Sequence, residues 1–156
     1  MSNVYFQLST GDFFQDWSGN LITADNNWSG VGSIQGFNGG STGTTGTNPQ
    51  TVLGEPAGQA TQVFANKGSL TSFTSGGVAE FDGLADTTIA LQGSGSARAP
   101  NIVVYLDSTG RQNVSFAFDA RDIDGTADNA AQQIAVQYRI GGSGACWRLG
   151  SGRRQS

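Results

Sequence analysis

Four carboxylates, Asp119, Asp122, Asp124 and Asp128, fall within ten positions of this chain, and Arg121 is the only base among them. So dense a run of like charge is unfavourable unless water, a cation or a set of donors compensates it. Hard oxygen ligands select calcium, so the chemistry first suggested is divalent-cation binding by Asp122, Asp124, Asp128 and Asn129. The spacing imitates the start of an EF-hand loop, but Gln133 stands where that loop needs its twelfth-position glutamate, and no flanking helical period is present. An EF-hand is excluded. The bland alternative is a solvated strand-to-strand turn in which Arg121 pairs with Asp119 or Asp122. A catalytic alternative is a metal-dependent phosphoesterase, with Asp122, Asp124 and Asp128 as ligands and Arg121 holding a phosphate oxygen.

A second candidate cation cluster comprises Asp12, Asp16 and Asp25, with Asn26 and Asn27 beside them. Asp16 serves equally well as a buried acceptor for backbone amides. A third acidic group, Glu80, Asp82 and Asp86, falls at a strand end, and alternation leaves the burial of Glu80 unassigned. Trp17, Trp28 and Trp147 invite a sugar-stacking reading. Trp17 and Trp28 sit beside apolar residues, however, and read better as core. The chain has no histidine, which removes the imidazole base of a Ser-His-Asp or Cys-His arrangement and the preferred nitrogen ligand of zinc. Cys146 is the single cysteine and excludes an intramolecular disulfide. No catalytic residue and no organic cofactor site is assigned.

The elements that must position these groups are strands. Charged residues make up 13% and aromatics 10%, and 24 glycines punctuate short apolar runs, a composition for one folded all-β domain of 156 residues rather than a disordered tail. Strands are expected at Val4–Leu8, Asn20–Thr23, Trp28–Ile34, Leu70–Thr74, Val78–Phe81 and Thr87–Gln92. The strongest are Asn101–Asp107, Asn113–Asp119 and Gln133–Ile140, and in the last Ile134, Val136, Tyr138 and Ile140 share one face. Ser108–Arg111 reads as a hairpin turn joining two of them. Residues 36–62 are rich in Gly, Thr, Ser, Asn and Pro and read as a long loop. Short strands at this spacing predict an antiparallel β-sandwich.

Residues 1–145 hold twelve acids and five bases, whereas the last eleven hold three arginines and no acid. The acidic body disfavours binding to a nucleic-acid backbone. No segment has the length of a membrane span, and no signal-peptide pattern opens the chain. The chain as written is therefore cytosolic where it is made, or a mature piece of a secreted protein. The sequons at Asn27 and Asn113 matter only in a glycosylating host.

Several stretches together carry a resemblance: Phe6-Gln-Leu-Ser-Thr-Gly-Asp-Phe-Phe-Gln-Asp-Trp17, Asp25-Asn-Asn-Trp-Ser-Gly30, Gly77-Val-Ala-Glu-Phe81, Ala90-Leu-Gln-Gly-Ser-Gly95, Ala99-Pro-Asn-Ile-Val-Val-Tyr-Leu-Asp107 and Arg121-Asp-Ile-Asp-Gly125. Over residues 4–145 the chain resembles a jelly-roll-like β-sandwich accessory domain of large secreted bacterial proteins, which often also carry endonuclease/exonuclease/phosphatase-type domains. The resemblance implies an extracellular, non-catalytic module, with cation binding expected by analogy. Where that pattern continues into closing strands, this chain runs Cys-Trp-Arg-Leu-Gly-Ser-Gly-Arg-Arg-Gln-Ser from residue 146, which looks like a frameshifted or library-derived truncation. The expected organisation is thus a β-sandwich over 1–145, lacking its final strands, and a non-native-looking basic tail over 146–156. Missing strands leave edges and apolar faces that recruit another chain, so a homo-oligomer is expected. Three functions follow: a calcium-stabilised accessory module, a glycan-binding module for a cell-surface ligand, or the phosphoesterase. The first is preferred.

Overall fold

The computed structural model describes residues 4–19, 21–25, 27–28, 30, 32–39, 63–64, 67–72, 74–123, 134–141 and 147–148. Nine strands are described: β1 (Phe6–Gln7), β2 (Ile34–Phe37), β3 (Val63–Phe64), β4 (Gly77–Phe81), β5 (Thr88–Gln92), β6 (Asn101–Val104), β7 (Leu106–Asp107), β8 (Gln137–Tyr138) and β9 (Trp147–Arg148). Among the described residues the only helical element is a 3-10 turn at Leu70–Ser72, where the sequence suggested a strand. The all-β class is therefore observed. The pairing is mixed rather than purely antiparallel. β2–β6, β4–β5 and β8–β9 are antiparallel, whereas β1–β7 and β3–β4 are parallel.

The expected strand over Asn101–Asp107 is split. Its first half pairs with β2, and at Tyr105 the chain changes partner. The Tyr105 amide donates to the Ser33 carbonyl at 2.7 Å, and its carbonyl accepts from Phe6 N at 3.0 Å, which starts the parallel pair with β1. One strand thereby links two small sheets.

β4 is the centre of the fold. All five of its residues are buried, and its pleat sends successive side chains to opposite sides. Val78 joins Ile22, Trp28 and Ile34 on one side, with Phe13, Trp17, Leu21, Ile89 and Val104 packed around them. Ala79 and Phe81 face the other side, against Leu70, Leu84, Ala90 and Ile123. Full burial of Val78 or Phe81 is worth about 1.5–3 kcal/mol each. A strand covered on both faces has no solvent side, so every polar side chain it carries must find an internal partner.

Trp28 is held by two contacts. Its ring lies directly over Gly36 of β2, where a Cβ would collide with the indole, and it packs in a T-shaped arrangement with Trp17 at a centroid separation of 6.5 Å and 77°. Trp17 reaches that position from a left-handed backbone conformation (φ 59°), which costs a bulky residue roughly 1–2 kcal/mol. The core reading of Trp17 and Trp28 is observed. Trp28 Nε1 is buried and has no hydrogen-bond partner among the described residues.

The outcome is different after β7. The turn Ser108–Arg111 closes with Arg111 N donating to Ser108 O at 2.9 Å, and Gly110 takes a left-handed conformation (φ 72°). The hairpin does not follow. No strand is formed over 113–119, and every residue from Ser108 to Asp122 is exposed. Alternation fixes which side chains share a face, but a strand exists only when a neighbour supplies hydrogen bonds. Of the expected strand Gln133–Ile140, the described part pairs only at Gln137–Tyr138, with β9.

Candidate functional site

The carboxylates are best understood by what each one holds. Glu80 is completely buried. Its Oε1 accepts from Leu21 N at 3.2 Å and its Oε2 from Ile22 N at 3.0 Å, across 59 and 58 positions of sequence. The Lys67 amide donates to the Glu80 carbonyl at 3.0 Å. Burial pushes the Glu80 carboxyl above its ordinary range. The Ile22 and Leu21 amides pull it back, and Asp82 adds a smaller upward push. The segment 21–23, expected as a strand, is thus pinned to β4 by a carboxylate instead of by a ladder.

This is the buried acceptor that Asp16 was considered for. Asp16 is exposed and caps its own turn, with its Oδ1 accepting from Ser18 Oγ at 2.7 Å and Ser18 N at 2.9 Å. The Ser18 hydroxyl, then its amide, hold the Asp16 carboxyl below the usual range. Asp107 repeats the device at the end of β7, accepting from Thr109 Oγ1 at 2.6 Å and Thr109 N at 2.9 Å. The same hydroxyl and amide lower its pKa, with a smaller contribution from the Gln7 side chain.

Arg121 does not follow the expected pairing with Asp119 or Asp122. Its guanidinium reaches Asp86, with Nη1 at 2.8 Å from Oδ2 and Nη2 donating to the Asp86 carbonyl at 2.8 Å. Both side chains are well exposed, so the pair contributes about 0–1 kcal/mol. Its effect is to take the only base of the acidic run towards the start of β5.

Of the first candidate cation set, the structure places Asp122, on the surface after the uncovered 113–119 run. Asp124, Asp128 and Asn129 lie outside the described residues. In the second set, Asp12, Asp16 and Asp25 are described and Asn26 is not. Among the described residues no three His, Cys, Asp or Glu side chains gather closely enough to hold a metal ion, so these three aspartates do not form such a group. Nor do Glu80, Asp82 and Asp86, of which Glu80 is spent on the amides and Asp86 on Arg121.

A feature that residue types did not reveal is an open groove of about 560 Å³ where β1 and β7 run side by side. Tyr5, Gln7, Asp107, Ser108, Thr109 and Ile140 line it, and Tyr5 packs edge-on against Tyr105 at 5.6 Å. Its volume lies in the range of small-ligand sites. The available signals were an aromatic in the first strand and a carboxylate closing the seventh. Their adjacency depends on a parallel pairing that sequence patterns do not announce. Among the described residues, no helix is long and apolar enough to cross a membrane. No family model, no curated protein and no solved structure matches this chain.

Proposed function

We propose that this chain is a non-catalytic accessory module of a secreted bacterial protein, a jelly-roll-like β-sandwich that works by contact, with calcium stabilising its acidic loop. The observation that carries the non-catalytic reading is how the acids are employed. Glu80 pins a distant segment, Asp16 and Asp107 cap turns, and Asp86 holds Arg121. Each is committed to fastening one piece of chain to another, a structural use of charge rather than a reactive one. The extracellular assignment rests on the resemblance over residues 4–145.

The calcium reading draws on the displacement of Arg121. That guanidinium lies on Asp86 and not on Asp119, and the carboxylates of the run Asp119, Asp122, Asp124, Asp128 supply the hard oxygens calcium takes. Thermal melting in EDTA and in millimolar calcium tests it. For an extracellular-type site with a dissociation constant near 10⁻⁴–10⁻³ M, millimolar calcium adds on the order of 1 kcal/mol, or roughly 2–4 °C. An unchanged midpoint removes the ion from the proposal.

The groove at β1 and β7 favours a second reading, a glycan-binding module. It sets the partly exposed Tyr5 ring beside Ser108, Thr109 and Asp107, an apolar face with polar groups at its rim. Glycan-array binding that disappears in Tyr5→Ala supports it, and binding that survives the substitution rejects this groove. In either reading the module assembles as a homo-oligomer through its uncovered apolar surface.

A further inference from the structure

The run Val114-Ser-Phe-Ala-Phe118 shows three large apolar side chains to solvent. Val114, Phe116 and Phe118 are 53%, 54% and 52% exposed. The rings of Phe116 and Phe118 lie 5.6 Å apart, as neighbours on one side of a strand do. Among the described residues, no backbone hydrogen bond reaches 113–120. This run, outside every sheet, has both its main-chain groups and its apolar side chains open, an arrangement that can accept a pairing strand.

We propose that this run docks a second copy of the chain, antiparallel and centred on Phe116. The inference rests on the homo-oligomeric reading above and names the surface. Three features select a second copy. The sequence is self-complementary about Phe116: Val114 falls opposite Phe118 and Phe116 opposite itself, while Ser115 and Ala117 meet on the other face. No charge lies inside the ladder. The third feature is charge at its ends. A two-fold axis brings Asp119 opposite Asn113 of the partner subunit, a carboxamide donor for each carboxylate. Parallel in-register stacking instead sets Asp119 on Asp119, which like-charge repulsion opposes. Asn113, in a left-handed conformation (φ 57°), marks where the ladder begins.

A ladder of this length is a small interface, so the dimer's dissociation constant is micromolar or higher. Sedimentation across roughly 1–500 μM is expected to show a monomer–dimer equilibrium. Phe116→Glu places two carboxylates face to face and weakens dimerisation on the order of 100-fold. Ile140→Glu, at a separate exposed apolar position, leaves it unchanged. With Cys146→Ser to remove the native thiol, Phe116→Cys forms an intersubunit disulfide when copper-catalysed oxygen oxidises the two thiols, because directly opposed Cα atoms lie within disulfide reach. A dimer that persists in Phe116→Glu, together with a Phe116→Cys chain that stays uncrosslinked, overturns the strand assignment while the homo-oligomeric reading stands. A monomer throughout the range overturns both. Polydisperse aggregation in place of a discrete dimer overturns the two-fold geometry.

Discussion

Replacing Glu80 by alanine removes the carboxylate that accepts from the amides of residues 21 and 22 and ties them to the central strand. Two amides lose their acceptor, that of Ile22 in a buried setting and that of Leu21 in a partly buried one. An orphaned buried donor costs about 1–3 kcal/mol, with the Leu21 amide towards the lower end because water reaches it more easily. The vacated volume, next to fully buried Val78 and Ile22, adds about 1 kcal/mol. Relief from burying a desolvated carboxylate offsets part of this. The net expectation is a loss of about 3 kcal/mol, a large fraction of the 5–15 kcal/mol typical of a domain. At this chain length it lowers the melting midpoint by roughly 6–12 °C. Glu80→Gln keeps the volume and one acceptor but turns an NH₂ towards an amide N–H, and is expected to cost about 1–2 kcal/mol.

The pH dependence carries its own sign. The folded-state pKa of Glu80 is raised by burial, so its contribution is fully present below the ordinary glutamate value of 4.5 and is lost as pH rises through the folded value. Asp16 and Asp107 act in the opposite sense. Their pKa values are lowered, so their contributions are present above the ordinary aspartate value of 3.8 and vanish as pH falls through the folded values. The two windows are separate. Denaturant midpoints measured from pH 3 to 8 should therefore show a decline above 4.5 that is missing in Glu80→Gln, while the acid-side decline remains in both. If Glu80→Ala stays within about 1 kcal/mol of the parent, the amides of Leu21 and Ile22 do not depend on this carboxylate and the reasoning fails.

Other perturbations have distinct expectations. Gly36→Ala drives a methyl group into the Trp28 indole and should cost about 1–3 kcal/mol by denaturant melting, with a changed near-ultraviolet signal from the tryptophan pair. Trp28→Phe removes an Nε1 with no partner among the described residues while leaving a small void, so the terms nearly cancel and stability should stay within about 1 kcal/mol. Arg121→Ala should change the midpoint by no more than about 0.5 kcal/mol, because the pair with Asp86 is solvent-exposed. Asp16→Asn retains an oxygen for Ser18 and should flatten part of the acid-side decline with little change at neutral pH.

Much of the architecture was legible in residue order. β4 and β5 lie where β-branched and apolar runs are bounded by Gly, Ser and Asp, and the turn at Ser108–Arg111 closes where its residues imply. Local chemistry of that kind is carried by neighbours in sequence. Pairing is not. Residues 101–107 read as one strand, and only the positions of β1 and β2 decide that Tyr105 divides it between two sheets. The alternation of 113–119 is as regular as any in the chain, yet no neighbour arrives to make it a strand.

Charge divides in the same way. The residue types alone determine that this chain has no imidazole chemistry, that its body is acidic and that its carboxylates cluster. Which carboxylate is buried was decided by tertiary structure. Only when cores form on both faces of β4 does Glu80 lose its solvent, and only then do the Leu21 and Ile22 amides become its required partners. Arg121 likewise finds Asp86, thirty-five positions away, instead of the acids beside it. Sequence determines which groups need compensation. Long-range packing determines which group supplies it, because burial and proximity across tens of residues are properties of the fold and not of the local chain.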